Sequence, residues 1–186
     1  MPARGTPAQL ALGPGYLYVG SLGRTEPTDL TTPWATVDPL WIFLGYTNNG
    51  SEFDYQLQTA AVDVAEELDP ITNTPTGRQA SVIFAAAQMT ATNLSTALNG
   101  GVITTGSGIV TVEPPDLGTE VRVMIGWESE DHQERWVFRQ GLNTGQMKIA
   151  RQKGANNAVI DEEFMLEKPA TGSKLFKAIF ASPARS

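Results

Sequence analysis

Through most of this chain apolar and polar residues alternate with a period of two, the signature of strands that have one buried and one wet face. Tyr16, Tyr18 and Gly20 alternate with Leu17, Val19 and Ser21 and predict a first short strand. From Leu40 to Tyr46 the run LWIFLGY is apolar and is followed by Asn48, Asn49 and Gly50, which predicts a strand closed by a tight turn. The return limb places Phe53, Tyr55, Leu57 and Thr59 on one face and Glu52, Asp54, Gln56 and Gln58 on the other. A long hairpin over residues 46–64 is therefore expected. The Pro/Thr-rich stretch DPITNTPTG then interrupts the chain before another strand, RQASVIFAAA.

One segment changes period. Ala87, Ala91, Leu94 and Leu98 recur at helical spacing and predict a helix over about Ala87–Asn99, ended by Gly100 and Gly101. Thr90, Thr92, Asn93, Ser95 and Thr96 weaken its intrinsic propensity, so packing on a sheet must hold it. Beyond it the strand pattern returns in VITTGSGIVTVEP, GTEVRVMIGWES, HQERWVFRQGLN, GQMKIARQ, NAVIDEEFMLE and KLFKAIFAS. Val121, Val123, Ile125 and Trp127 are expected to face inward, opposite a polar face of Glu120, Arg122, Met124 and Gly126. Trp136 and Phe138 alternate in the same way with Arg135, Val137 and Arg139. The expected fold is mainly β, an antiparallel sandwich or barrel with one flanking helix, in a single domain over residues 1–186. An irregular arm over 1–14 and a tail over 181–186 complete it.

Composition narrows the function classes. Thirteen basic and twenty acidic residues leave a formal charge of −7, which opposes binding to nucleic-acid phosphates or anionic membrane surfaces. The chain has no cysteine, which removes disulfides, zinc ribbons and thiolate nucleophiles and fits a reducing cytoplasm. No apolar run approaches the roughly 20 residues of a membrane span, and MPARGTPAQLALGPG lacks a signal core, so no membrane insertion is expected.

No constellation of reactive groups stands out. His132 is the single histidine and lies in the charged turn ESEDHQER, where solvation is its simplest role. The GSG at residues 106–108 is followed by Ile109 and lacks a phosphate-loop lysine, so it is expected to be a turn. Glu66, Glu67 and Asp69, and likewise Asp161, Glu162 and Glu163, are carboxylate runs, but neighbours on a strand point to opposite faces and converge poorly on one ion. Trp41, Trp127, Trp136 and Phe138 sit beside Val and Ile at alternating positions and are expected in the core, not on a stacking platform. No catalytic residue, cofactor or metal is assigned, and the chain is expected not to be an enzyme.

Three segments together carry a resemblance: GPGYLYVGSLG, the hairpin LGYTNNGSEFDY, and VDVAEELDPI followed by TGRQASVIFAAAQMTATNLSTALNGG. In their order, over about Gly13 to Gly101, the chain resembles the major tail tube proteins of long-tailed bacteriophages, especially those with non-contractile tails on actinobacterial hosts. The resemblance implies a structural virion protein, made in the host cytoplasm, that assembles as stacked homohexameric rings around a tape measure protein. It further implies tail terminator, tail tip and assembly-chaperone partners, and DNA that passes through without specific binding. Under that reading Tyr46, Asn48, Asn49, Phe53, Tyr55 and Leu57 in the hairpin are expected to contact neighbouring subunits. Some of Glu66, Glu67, Glu113, Asp116, Glu120 and Glu128 are expected to line the channel and repel DNA phosphates. Alternatives are a tail terminator, a head-decoration protein, a contractile injection tube subunit, a carbohydrate-binding β-sandwich, or an enzyme using scattered carboxylates.

Overall fold

In the computed structural model the described residues are 14–62, 71–147, 149, 158–169 and 173–181. Most of the expected arm over 1–14, the tail beyond Ala181, and Glu66 and Glu67 lie outside them. The elements are β1 (Gly15–Ser21), α1 (Trp34–Val37), β2 (Ile42–Phe43), β3 (Thr47–Val62), β4 (Thr72–Ala86), α2 (Ala91–Ala97), β5 (Val102–Gly106), β6 (Ile109–Glu113), β7 (Val123–Ser129), β8 (Glu134–Asn143), β9 (Ile160–Leu166) and β10 (Phe176–Phe180). The protein is mainly β, as the period-two pattern predicts.

The large sheet runs β2-β1-β7-β8-β9-β4-β3 with antiparallel neighbours, and β10 joins at β8. Strand β8 is long enough to be shared along one edge. Its first half, Glu134 to Phe138, pairs with β10, and Gly141 to Asn143 pair with β9. The terminal strands β2 and β3 do not pair with each other, so the sheet is not a closed barrel. Leu17, Val19, Ile125 and Phe138 from one half pack with Val82, Phe84 and Phe164 from the other, and Leu44 closes the corner between β2 and β3.

The opposite face of β7 and β8 is also covered. Trp34 and Trp41 pack with Met124 and Val137 in a second cluster flanked by Tyr18, with Trp34 and Tyr18 stacked at 4.7 Å between centroids. Met124 and Gly126, expected on a polar face, are therefore buried. Gly126 is required there, because a Cβ at this position would overlap the Trp34 ring.

Three expected boundaries move. The run LWIFLGY forms a strand only at Ile42–Phe43; Trp41 and Leu44 are buried while Leu40, Ile42, Phe43 and Tyr46 remain exposed. Asn48-Asn49-Gly50 is not the hairpin turn. It lies inside β3, where Asn49 (φ 64°) and Gly50 (φ 78°) form an irregularity between the pairs Asn48–Ala85 and Ser51–Phe84. Residues 47–62 are thus one limb, and the other is β4, which continues through the expected breaker TNTPTG with a second irregularity there, between the pairs Gln58–Gly77 and Thr59–Pro75. Pro75 is tolerated because β9 pairs only with Ser81–Ala86, so this part of β4 has one free edge.

The helix is shorter than its apolar stripe. Thr90 caps it by accepting a 3.1 Å bond from the Asn93 amide, so the helix begins at Ala91 and leaves Ala87 in the preceding segment. Its buried residues are Asn93 and Ala97, with Leu94 only partly buried. The Asn93 side chain donates to the carbonyls of Leu44 (2.8 Å) and Gln88 (2.9 Å) and ties the helix to the β2–β3 corner.

Candidate assembly surfaces

Beyond the reach of β9, β3 and β4 continue alone as a two-stranded ribbon. Their register extends to Val62 opposite Thr72. From Tyr55, opposite Ala80, to Val62 the ribbon extends about 23 Å at ~3.3 Å per residue. Nearly every residue on it is exposed, including Tyr55 (48 %), Leu57 (48 %) and Ile71 (61 %). Phe53 belongs to the body instead: its ring lies 5.0 Å from Phe138 and 5.1 Å from Phe176. Of the six expected contact residues, then, Tyr46, Asn48, Asn49, Tyr55 and Leu57 are exposed, and Phe53 is half-buried against the core.

A second ribbon, β5–β6, pairs with no strand of the large sheet. Ser107 (φ 52°) and Gly108 (φ 75°) form its two-residue turn. This is the GSG expected to be a turn. The pairs Ile103–Val112 and Thr105–Val110 lie on one face, with Val102–Glu113 and Gly106–Ile109 on the other. Val102, Ile103, Ile109 and Val110 are all exposed, so apolar side chains reach solvent on both faces. Sequence reasoning found these strands but not the surface; the clue is β-branched residues of both parities. Glu113, Asp116 and Glu120 follow directly; the first two are exposed, and the amide of Gly118 beside Glu120 holds the latter's carboxyl below its ordinary range.

Glu128, expected at a channel wall, is buried at 2 % exposure. It accepts hydrogen bonds from Trp34 Nε1 (2.6 Å) and Arg135 Nη2 (3.0 Å) and contacts His132 Nδ1. Arg135 in turn donates to the carbonyls of Asp29 (3.0 Å) and Thr32 (2.7 Å). The group therefore fastens the segment carrying α1 to the sheet and cannot line a lumen. His132 is an exposed turn residue, as expected, with φ 53°. On the same side of the molecule Arg139 binds Glu26 at 2.5 Å, and that bond holds the Glu26 carboxyl below its usual range.

No protein-family model and no curated protein matches the chain.

Among the described residues no group of three or more His, Cys, Asp or Glu side chains is placed to hold a metal ion, and no helix is long and apolar enough to cross a membrane. Among the described residues Glu162 is a carboxyl out of keeping with its surroundings. It lies on β9 between Ile160 and Phe164, is 1 % exposed, and neither carboxyl oxygen has a hydrogen-bond partner. Burial pushes its pKa up to about 8. Asp161 is exposed and Glu163 half-buried, so the three carboxylates diverge as strand geometry requires. Glu162 lines a concavity of about 540 Å³ together with Asn48, Asn49, Ser51, Glu52 and Gln146.

Proposed function

We propose that this chain is a non-catalytic subunit of a phage tail tube, assembling as stacked homohexameric rings around a tape measure protein to form a DNA-conducting channel. The observation that supports it best is the pair of two-stranded ribbons, β3–β4 and β5–β6, which hold apolar side chains in solvent outside the packed body. Such ribbons leave strand edges and apolar faces for a neighbour to complete. Tyr46, Tyr55 and Leu57 are the subunit-contact candidates, and Glu113, Asp116 and Glu120 the channel-facing ones. The antiparallel fold and its unclosed sheet are compatible with a tail-tube sandwich, and the resemblance over Gly13 to Gly101 gives the reading its specificity. Negative-stain microscopy of the purified protein tests it: long hollow filaments are expected. Isolated closed rings would assign the chain to a terminator instead, and a protein that stays monomeric at high concentration would refute the tube.

A further inference from the structure

The two strands β4 and β9 carry opposite charges at their two ends. At one end Glu52 and Glu163 both pair with Ile83, one on each side of it, and Asp161 lies two residues from Glu163 on the same outer face. These three, with the buried and unpartnered Glu162, line the concavity beside the Asn49-Gly50 irregularity, and among the described residues no basic one lines it. At the other end Arg78, Lys168 and Lys174 line a concavity of about 570 Å³ with no acidic residue among the described ones that line it. The register that sets Ser81 opposite Met165 carries Arg78 opposite Lys168 when continued. The spacing from Glu163 to Lys168 is five residues, about 17 Å of strand. Among the described residues none of these seven side chains enters an ion pair. Like charges gathered at one end of a sheet repel one another in the isolated chain, and a carboxyl without any partner adds to that cost.

From this polarity we infer that the acidic end of β4–β9 in one copy receives the basic end of the same strands in the next copy. The contact is heterologous, one patch on one copy against a different patch on its neighbour, and it repeats without limit unless rotation closes it. The partner is a second copy of this chain because each patch supplies the charge that the other lacks. The inference rests on the assembly reading above and names the surfaces that meet.

Charge reversal tests it, using exposed positions only. The variant K168E/K174E has two acidic ends, and E52K/D161K has two basic ends. Each alone is expected to need an at least about tenfold higher concentration than the wild type to form filaments in light scattering and microscopy, because like ends meet. An equimolar mixture is expected to assemble near the wild-type concentration, reversed ends meeting reversed ends and native ends meeting native ends. Near-UV circular dichroism identical to wild type confirms that both variants are folded. Either variant assembling alone like the wild type overturns the inference and leaves the assembly reading standing. A mixture as inert as its components overturns it as well. If the wild type itself never assembles, the assembly reading falls, and the inference with it.

Discussion

Replacing Glu162 with glutamine changes one proton site and almost no volume, so its effect on stability is easy to isolate. In the folded chain burial raises the Glu162 pKa to about 8 from an ordinary 4.5. Between those values the folded state holds a proton that the unfolded state has lost. Stability therefore falls as pH rises through the window, by about 1.4 kcal/mol per pH unit. From about pH 5 to about pH 7.5 the loss is about 3 kcal/mol, a large part of a typical domain's total. Other shifted carboxyls act elsewhere: Glu26 and Glu167 are held down by hydrogen bonds from Arg139 and Arg122, and what they contribute is lost only as pH falls below the window. E162Q has nothing to titrate, so its pH profile lacks this loss. With an m-value of about 2 kcal/mol/M in urea, the wild-type midpoint is expected to drop by about 1.5 M between the two pH values relative to that of E162Q. The measurement is urea unfolding at low protein concentration, followed by tryptophan fluorescence. Parallel pH profiles for the two proteins would refute a buried, unpaired Glu162.

Three further outcomes follow from packing. Gly126→Ala forces a methyl group into the Trp34 ring and is expected to lower stability by about 1–3 kcal/mol, read as a drop in Tm. Glu128→Ala leaves Arg135, 2 % exposed, without its carboxylate partner; a loss of about 3–5 kcal/mol is expected, and a change under about 1 kcal/mol in chemical denaturation would show that the pair is dispensable. Joining Gln56 to Gln79, which face each other in register, through an Asn-Gly turn removes the distal β3–β4 ribbon and, among the described residues, no core residue. That variant is expected to unfold within a few degrees of wild type and to form no filaments; normal filaments would remove the ribbon from assembly.

Alternation located the strands, as at β1 and β7, but it misassigned their faces where both sides of a strand are covered. In β7 the residues Met124 and Gly126 were assigned to solvent because Glu120 and Arg122 share their parity, yet Trp34 and Trp41 cover that part of the strand. The glycine was the available clue, since a strand interior has little use for one unless something lies against it. At Asn48-Asn49-Gly50 the local reading was correct and the topology wrong. Positive φ suits a hairpin turn and a strand irregularity equally, and only the distant partner β4 decides between them. Pro75 misled for a similar reason, because the rule against proline in strands weakens on a ribbon with a free edge.

Glu162 was legible but unread. Its parity groups it with Ile160, Phe164 and Leu166, and the first two are core residues, so alternation alone places it inside. Under the contact proposed between copies, its position would give it opposing effects in the free and the assembled chain. In the free chain the carboxyl takes up a proton at neutral pH, because an ionised form without partners is costly to bury. A neighbour's ammonium seated at the acidic end favours the ionised form and so draws that proton off. The glutamine variant should then be the more stable monomer at pH 7.5 and the poorer polymer, with a raised critical concentration. It should also remove the proton release that calorimetry in two buffers of different ionisation enthalpy would detect during wild-type assembly. A wild type that assembles with no proton release, or an E162Q that assembles as readily, would separate the stability role of Glu162 from any part in the contact between copies.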